Sequence, residues 1–323
     1  MDLSLVISLY NEKESLVELV DWIGRALAGE TSPAGGPLSY EILMIDDGST
    51  DGSWKVVTEL AATHPEIRAI RFRRNYGKSA ALFEGFAAAE GDIVVTLDAD
   101  LQDNPEEIPE MMRMIREEGY DLVSGWKKKR YDNVLFKNIP SKIYNRTARR
   151  VTGIKLHDMN CGLKAYRKEV VKSIEVYGDM HRYIPYLAKE AGFGRIGEKV
   201  VHHQARKYGK SKFGMERFIH GFLDLETIWF LQRFGKKPMH LFGSLGILTF
   251  LIGIVIALII IINKLVCQAH GLDFRPVTDQ PLFYLALVAV IVGTQMFLTG
   301  FLGELVSRNS QERNNYNVRE RIR

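Results

Sequence analysis

The sequence predicts an α/β domain with a mostly parallel sheet, helices on both sheet faces, then an amphipathic helix and a two-helix membrane hairpin. Three observations predict it. Short β-branched apolar runs alternate with helix-spaced runs through the first part of the chain. Two acidic clusters, 46–51 and 98–103, each follow an apolar run directly. Two long uncharged apolar segments lie near the C-terminus. The alternation implies parallel strands joined by helical crossovers.

Each element follows from its pattern. Strands are expected over 3–9, 41–45, 67–72, 92–97, 121–124 and 195–202, where apolar and β-branched residues dominate. Helices are expected over 14–27, 51–62, 78–89 and 105–118; the first carries Leu16, Leu19, Val20, Ile23 and Leu27 at helical spacing. Ser32-Pro33-Ala34-Gly35-Gly36-Pro37 is a loop. From 134 to 194 the pattern is mainly helical. Over 213–234, Met215, Phe218, Phe222, Leu225 and Trp229 form an apolar helical stripe, suited to lie in a membrane interface or to pack on the domain.

The stretch 241–262 contains no charged residue. At about 1.5 Å per residue it reaches roughly 33 Å, enough for a hydrocarbon core of about 30 Å. A second such run covers 282–303. Arg233, Lys236 and Lys237 precede the first run, and Arg308, Arg313, Arg319, Arg321 and Arg323 follow the second. The link between them carries only Lys264 and Arg275. This asymmetry predicts an external link, with the large domain and both termini cytoplasmic. The expected organisation is a catalytic domain over 1–209, an interfacial region over 210–238, the two spans within 239–304, and a basic tail over 305–323.

Composition excludes several classes. The net charge of +4 over 323 residues is too mild for a nucleic-acid binder, which needs a concentrated basic face. Cys161 and Cys267 make neither a disulfide framework nor a zinc site, and they fit a reducing compartment. The N-terminus has no basic n-region and reads as a first strand rather than a signal peptide.

The chemistry concentrates at strand ends, where open α/β sheets bind ligands. In Asp98-Ala99-Asp100-Leu101-Gln102 the alternation lets one side present both carboxylates and an amide oxygen. Such a set suits Mg²⁺ or Mn²⁺, which need one or two carboxylates plus a diphosphate's own oxygens. Asp103 and Asn104 suit capping of the next helix. Asp46 and Asp47 can accept from a nucleobase or ribose, while Ser49 or Thr50 can cap the following helix. Tyr10, Asn11 and Glu12 face the same edge. Gly77-Lys78-Ser79 imitates a P-loop, but the glycine that the pattern needs is replaced by Phe72. A nucleotide site joined to a membrane hairpin points to a sugar moved from a nucleotide onto a lipid.

Tyr10-Asn11-Glu12, Asp46 to Asp51, Arg74-Asn75-Tyr76-Gly77-Lys78 and Asp98 to Asp103 resemble the family 2 glycosyltransferases of GT-A fold. Ser8 departs from the proline common in the first motif. Asp158 to Arg167 and Arg206 to Lys212 resemble the acceptor-side and basic phosphate-binding segments of polyprenyl-phosphate glycosyltransferases. The likeness extends to bacterial undecaprenyl-phosphate glucosyltransferases and aminoarabinose transferases, and more distantly to dolichol-phosphate mannose synthases. It implies Asp98, Asp100 and Gln102 at the metal, and Tyr10, Asn11, Glu12, Asp46, Asp47, Lys78 and Asp98 around a nucleotide-sugar, with UDP the expected nucleotide. It implies Asp158 near the reacting centre, and Arg206, Tyr208, Ser211 and Lys212 around donor or acceptor phosphates. It also implies an undecaprenyl-type lipid acceptor, inversion at the anomeric carbon, and a homo-oligomer. Gln232-Arg233-Phe234 only faintly echoes the Gln-x-x-Arg-Trp motif of processive synthases, and one hairpin makes no polymer channel. Transfer to a soluble acceptor and a non-catalytic scaffold are the other readings.

Overall fold

A computed structural model describes residues 1–128, 146–208, 237–273 and 275–309, with isolated positions at 226, 227, 230 and 234. The chain divides into two compact units, Met1–Glu226 and Thr227–Arg323.

The first unit holds a seven-stranded sheet. Its strands are β1 (Leu3–Leu9), β2 (Tyr40–Asp46), β3 (Ile67–Arg71), β4 (Ile93–Asp98), β5 (Leu122–Trp126), β6 (Lys164–Arg167) and β7 (Ile196–Val200), in spatial order β3-β2-β1-β4-β6-β5-β7. All neighbours are parallel except β6, which runs antiparallel to both β4 and β5. This strand corrects the mainly helical expectation for 134–194. It is four residues long, so its pairing with β4 and β5, not its local pattern, decides its state.

Helices α1 (Leu16–Leu27), α2 (Ser53–Thr63), α3 (Lys78–Ala88) and α4 (Ile108–Arg116) follow the first strands, and two shorter ones, α5 (Lys168–Ser173) and α6 (Ile184–Glu190), lie later. Leu3, Leu5, Ile7 and Leu9 enter one core with Leu19 and Ile23 of α1, Val57 of α2 and Met111 of α4. Strand alternation sends Val6 to the opposite face. There it meets α3 at Gly85, where an added Cβ would lie 2.3 Å from Val6 Cγ1. Both faces are therefore covered, as a parallel sheet requires. The register sets Asp46 beside Leu9 and Asp98 beside Ser8, so both acidic clusters leave the same edge.

The second unit contains α7 (Pro238–Ala269) and α8 (Pro281–Asn309), both long and apolar enough to cross a membrane. They outrun the expected 241–262 and 282–303, and Lys264 belongs to α7 rather than to the link. Their seam is built from glycine. A Cβ on Gly246 would sit 2.7 Å from Gly293 O, and one on Gly293 2.5 Å from Phe250 N. These glycines let the two helices of one hairpin approach closely. The expected amphipathic stripe over 213–234 lies almost entirely outside the described residues, as does the tail beyond 309.

Candidate active site

Three loops meet at the carboxyl edge of β1, β2 and β4. Asn11 stands at φ 53°, in the left-handed region. Its N–H donates to Ser49 Oγ (2.9 Å), and its Oδ1 accepts from Thr50 N (2.8 Å). The Glu12 N–H donates to Ser53 Oγ (3.0 Å). These bonds lace the β1 and β2 loops together. Asp46 is fully buried; its Oδ1 accepts from Ser49 N (2.9 Å) and its Oδ2 faces Arg71 Nε at 3.4 Å. Asp47 accepts from Tyr76 N (2.7 Å) and Gly77 N (2.9 Å), fastening the β3–α3 loop. Gly48, at φ +75°, packs where a Cβ would fall 2.5 Å from the Arg74 carbonyl carbon. The α2 N-cap is Gly52, at φ 92° and with no side-chain cap; Asp51 before it accepts from Ser53 N (2.9 Å), and neither Ser49 nor Thr50 caps the helix. Tyr10 sits at the end of β1 beside this loop pair.

The second cluster carries a dense ionic arrangement. Lys78, first residue of α3, pairs with Asp98 Oδ1. Arg206 bridges two acids: Nη2 lies 2.6 Å from Asp100 Oδ2, and Nη1 lies 3.2 Å from Glu12 Oε1. Leu101 is buried at φ 59°, an unusual backbone for a leucine, and the turn lets Gln102 N donate to Asp100 Oδ1 (3.2 Å). Burial would raise the Asp98 carboxyl, but Lys78, Lys127 and Lys164 outweigh it and hold it low. Asp100 is driven up by burial and by the Asp98 charge, against the pull of Arg206. Asn104 caps the following turn by accepting from Glu106 N (2.9 Å), as expected. Asp103 does not cap. It is buried and paired with Lys127 Nζ at 2.6 Å.

The segment 203–208 straps this edge. Asp103 and His203 form an isolated bridge, and Gln204 N donates to Gln102 O (2.9 Å) while Gln102 Nε2 donates to Gln204 O (3.3 Å). Lys207 Nζ reaches both Glu18 oxygens (2.9 and 2.7 Å), joined by Tyr208 OH (3.3 Å). Arg206 is thus at the carboxylates, whereas Tyr208 is held on α1. Ser211 and Lys212 lie outside the described residues.

Asp158 is 2% exposed, and its Oδ1 accepts from Asn160 N (3.2 Å) in a turn before β6. That turn delivers Gly162 against Asp98: an added Cβ would stand 2.4 Å from Asp98 Oδ2. Lys164, fully embedded on β6, couples to both Asp158 and Asp98, and its ammonium is lowered chiefly by burial. Gly162, Lys127 and Lys164 carry no role in the sequence reading. The embedded lysines signal themselves only once their strands are placed.

The fit to a divalent cation is chemical. Among the described residues no three His, Cys, Asp or Glu side chains cluster as a closed metal site. The two carboxylates, Asp98 and Asp100, suit a hard ion that takes its remaining ligands from phosphates and water, while the Gln102 amide is turned to the Gln204 carbonyl. The two basic side chains already drawn to Asp98 and Asp100 show how strongly this pair attracts positive charge.

The family model for glycosyl transferase family 2 matches residues 4–175. The chain belongs to this family. A dodecaprenyl-phosphate galacturonate synthase of Rhizobium johnstonii is 34% identical over 310 residues, covering 95% of this chain and 88% of that protein. An undecaprenyl-phosphate 4-deoxy-4-formamido-L-arabinose transferase of Shewanella sediminis is 36% identical over 308 residues, covering 94% and 87%. Among solved structures, glucosyl-3-phosphoglycerate synthase of Mycobacterium tuberculosis with UDP superposes with a TM-score of 0.51 at 20% identity, covering 71% of this chain and 79% of that one. A mannosyltransferase from Pyrobaculum calidifontis with GDP-Man and Mn²⁺ gives 0.50 at 16% identity, covering 95% and 74%. The fold is therefore GT-A, and the protein is a glycosyltransferase.

Proposed function

We propose that this glycosyltransferase moves a sugar from a nucleotide-sugar, with UDP as the nucleotide, to undecaprenyl phosphate at the cytoplasmic face of the inner membrane. The observation that carries the reading is the likeness over 94–95% of the chain, hairpin included, to two relatives named for polyprenyl-phosphate acceptors.

The chemistry is consistent with that acceptor. A phosphate monoester has a second pKa of about 6, so it is already nucleophilic at neutral pH. A strong general base is needed for a hydroxyl acceptor but not here. An acceptor phosphate oxygen bonds to the anomeric carbon as the bond to the donor's β-phosphate oxygen breaks, in one inverting displacement. The demanding task is holding two anionic groups together while a diphosphate departs. Asp98, Asp100 and Gln102 would hold Mg²⁺ or Mn²⁺, which supplies charge neutralisation at the diphosphate. Arg206 and Lys78, now on the carboxylates, would turn to phosphate oxygens, with Ser211 and Lys212 following in the same segment. Asp46 and Asp47 shape the nucleoside pocket through the loops that they fasten, with Tyr10, Asn11 and Glu12 at its rim. Asp158 orients the sugar or the acceptor rather than acting first as a base.

The two long helices support a multi-pass anchor with both termini cytoplasmic, an organisation of 1–209, 210–238, 239–304 and 305–323. Association into a homo-oligomer would use the outer apolar faces of the hairpin, because the glycine faces are occupied within it. Membrane-impermeant labelling of a cysteine placed in the 270–280 link of otherwise cysteine-free protein tests the orientation. Mass measurement in detergent tests the assembly.

The deciding experiment supplies purified enzyme with undecaprenyl phosphate, Mg²⁺ or Mn²⁺ and a panel of radiolabelled nucleotide-sugars. Label in the organic phase from one donor establishes the reaction and names the sugar. Release of the nucleoside diphosphate without organic label would overturn the lipid acceptor.

A further inference from the structure

The turn that bears Asp158 is fastened to the sheet by an acid, Glu198. Glu198 lies on β7, paired with Ser124 of β5. Trp126 is two residues along β5, so it shares that sheet face. Glu198 Oε1 accepts from His157 N (2.7 Å) and from Asp158 N (3.1 Å). Its Oε2 lies 2.7 Å from His157 Nδ1. A carboxylate only accepts hydrogen bonds, so Nδ1 carries the proton. The His157 ring lies flat on Trp126, with centroids 4.1 Å apart and planes 13° from parallel. Both backbone N–H groups and the ring are therefore fixed by two strands of the central sheet.

We infer that Glu198 is the positioning residue of Asp158, with the Trp126–His157 stack as its brace. This rests on the reading that Asp158 works at the reacting centre. Three donors already occupy its two oxygens, so Glu198 acts through the turn rather than on the reacting atoms. The Glu198 side chain is only 13% exposed, so water replaces it poorly once it is removed. Its removal deprives the N-terminal end of the turn of the acceptor shared by His157 N and Asp158 N, while Gly162 stays against Asp98. Misplacement of a reacting group by about 1 Å is worth on the order of 100-fold in rate.

Reach, not charge, is the property that matters. Glutamine keeps one oxygen at the same distance for the two N–H donors and can offer its amide to the histidine. Aspartate keeps the charge but is one methylene short. The test compares Glu198→Gln, Glu198→Asp, Glu198→Ala and Asp158→Asn in the full-length enzyme. Donor KM, kcat and the melting temperature are read for each. The expected result is kcat within about fivefold of wild type for Gln. A loss of roughly 10–100-fold is expected for Asp and Ala, with donor KM changed little, as for an interaction felt mainly in the transition state. If Asp matches wild type and Gln does not, charge is what counts and the inference fails. If Glu198→Ala keeps full kcat while Asp158→Asn loses it, positioning by Glu198 is refuted alone. If Asp158→Asn is itself fully active, the underlying reading of Asp158 falls, and this inference with it. Should Glu198→Ala not fold, the Gln and Asp pair still decides.

Discussion

Gly162→Ala isolates the dependence of the carboxylate pair on its backing. Gly162 precedes β6 and has no backbone need for glycine, since its φ is not in the left-handed region. The need is space. The new methyl would sit 2.4 Å from Asp98 Oδ2, 2.8 Å from Asp98 Cγ and 3.0 Å from Asp103 Oδ2. Ordinary contact begins near 3.4 Å, so the Asp98 carboxylate must retreat by about 1 Å. It cannot rotate away cheaply, because Lys78 grips one side and buried Asp103, paired with Lys127, stands on the other. A shift of about 1 Å at a reacting site is worth on the order of 100-fold, or about 2.7 kcal/mol at 1.36 kcal/mol per tenfold. The assay is sugar transfer into the organic phase across a Mn²⁺ titration, with the melting temperature as control. The expected outcome is a roughly 100-fold lower rate at saturating donor and a higher Mn²⁺ requirement in a folded protein. A variant with wild-type rate and unchanged Mn²⁺ dependence would refute the placement of Asp98 at the metal.

Four further outcomes follow from the same geometry. Asp100→Asn keeps shape but removes one carboxylate, and transfer should fall by orders of magnitude with expression intact; near-normal turnover would remove Asp100 from the metal site. Arg206→Gln deletes the guanidinium between Glu12 and Asp100. Donor-free Mn²⁺ binding, followed by electron paramagnetic resonance, should tighten about tenfold, or 1.4 kcal/mol, while transfer drops; unchanged metal affinity would refute competition by Arg206. Glu41 is buried and its pKa is lowered: burial raises it, but Ser4, the Glu90 N–H and Arg68 outweigh that. A depressed folded pKa means stability that is present above the ordinary value near 4.5 and lost as pH falls through the folded value, so Glu41→Gln should lower stability by about 1.5–3 kcal/mol at pH 7, with the gap to wild type closing in acid; a gap constant with pH would contradict this. Gly246→Leu puts a side chain against Gly293 O and Phe297 N, backbone atoms that cannot step aside, and should lower the melting temperature in detergent; an unchanged melting curve would contradict the close α7–α8 seam.

The alternation of β1 to β5 with α1 to α4 was readable because each element carries its own period and is long enough to display it. The strand-end rule then located Asp46, Asp47, Asp98 and Asp100 at one edge without a structure. What escaped reading depends on distant partners. Strand β6 has four residues and is a strand only because β4 and β5 flank it. Glu198 looks like a surface acid on a strand until the chain 40 residues earlier folds onto it. Gly162 drew no reading of its own from the sequence, and only the approach of Asp98 shows that its missing side chain is the point. Asp103 looked like a cap because caps are local; its buried pairing with Lys127 requires the end of β5 to lie within reach of the β4 end across the intervening β6.

The same distinction bears on what the site does. As motifs, Glu12, Lys78, Asp98, Asp100 and Arg206 are independent sources of charge. In the folded chain they are partners: Lys78 with Asp98, and Arg206 with both Asp100 and Glu12 across 106 and 194 positions. The acids of this edge are thus paired with the chain's own basic side chains. On the proposed site, a cation alone would have to displace Lys78 and Arg206 from the acids, and a diphosphate alone would have to draw them away and leave the acids uncompensated. Arriving together, the two would exchange partners with the protein and leave no buried charge alone, the state that is most unfavourable in a poorly solvated site. Under the proposed function, this pairing would couple the two ligands through the carboxylates themselves, so that loss of one ligand weakens the hold on the other.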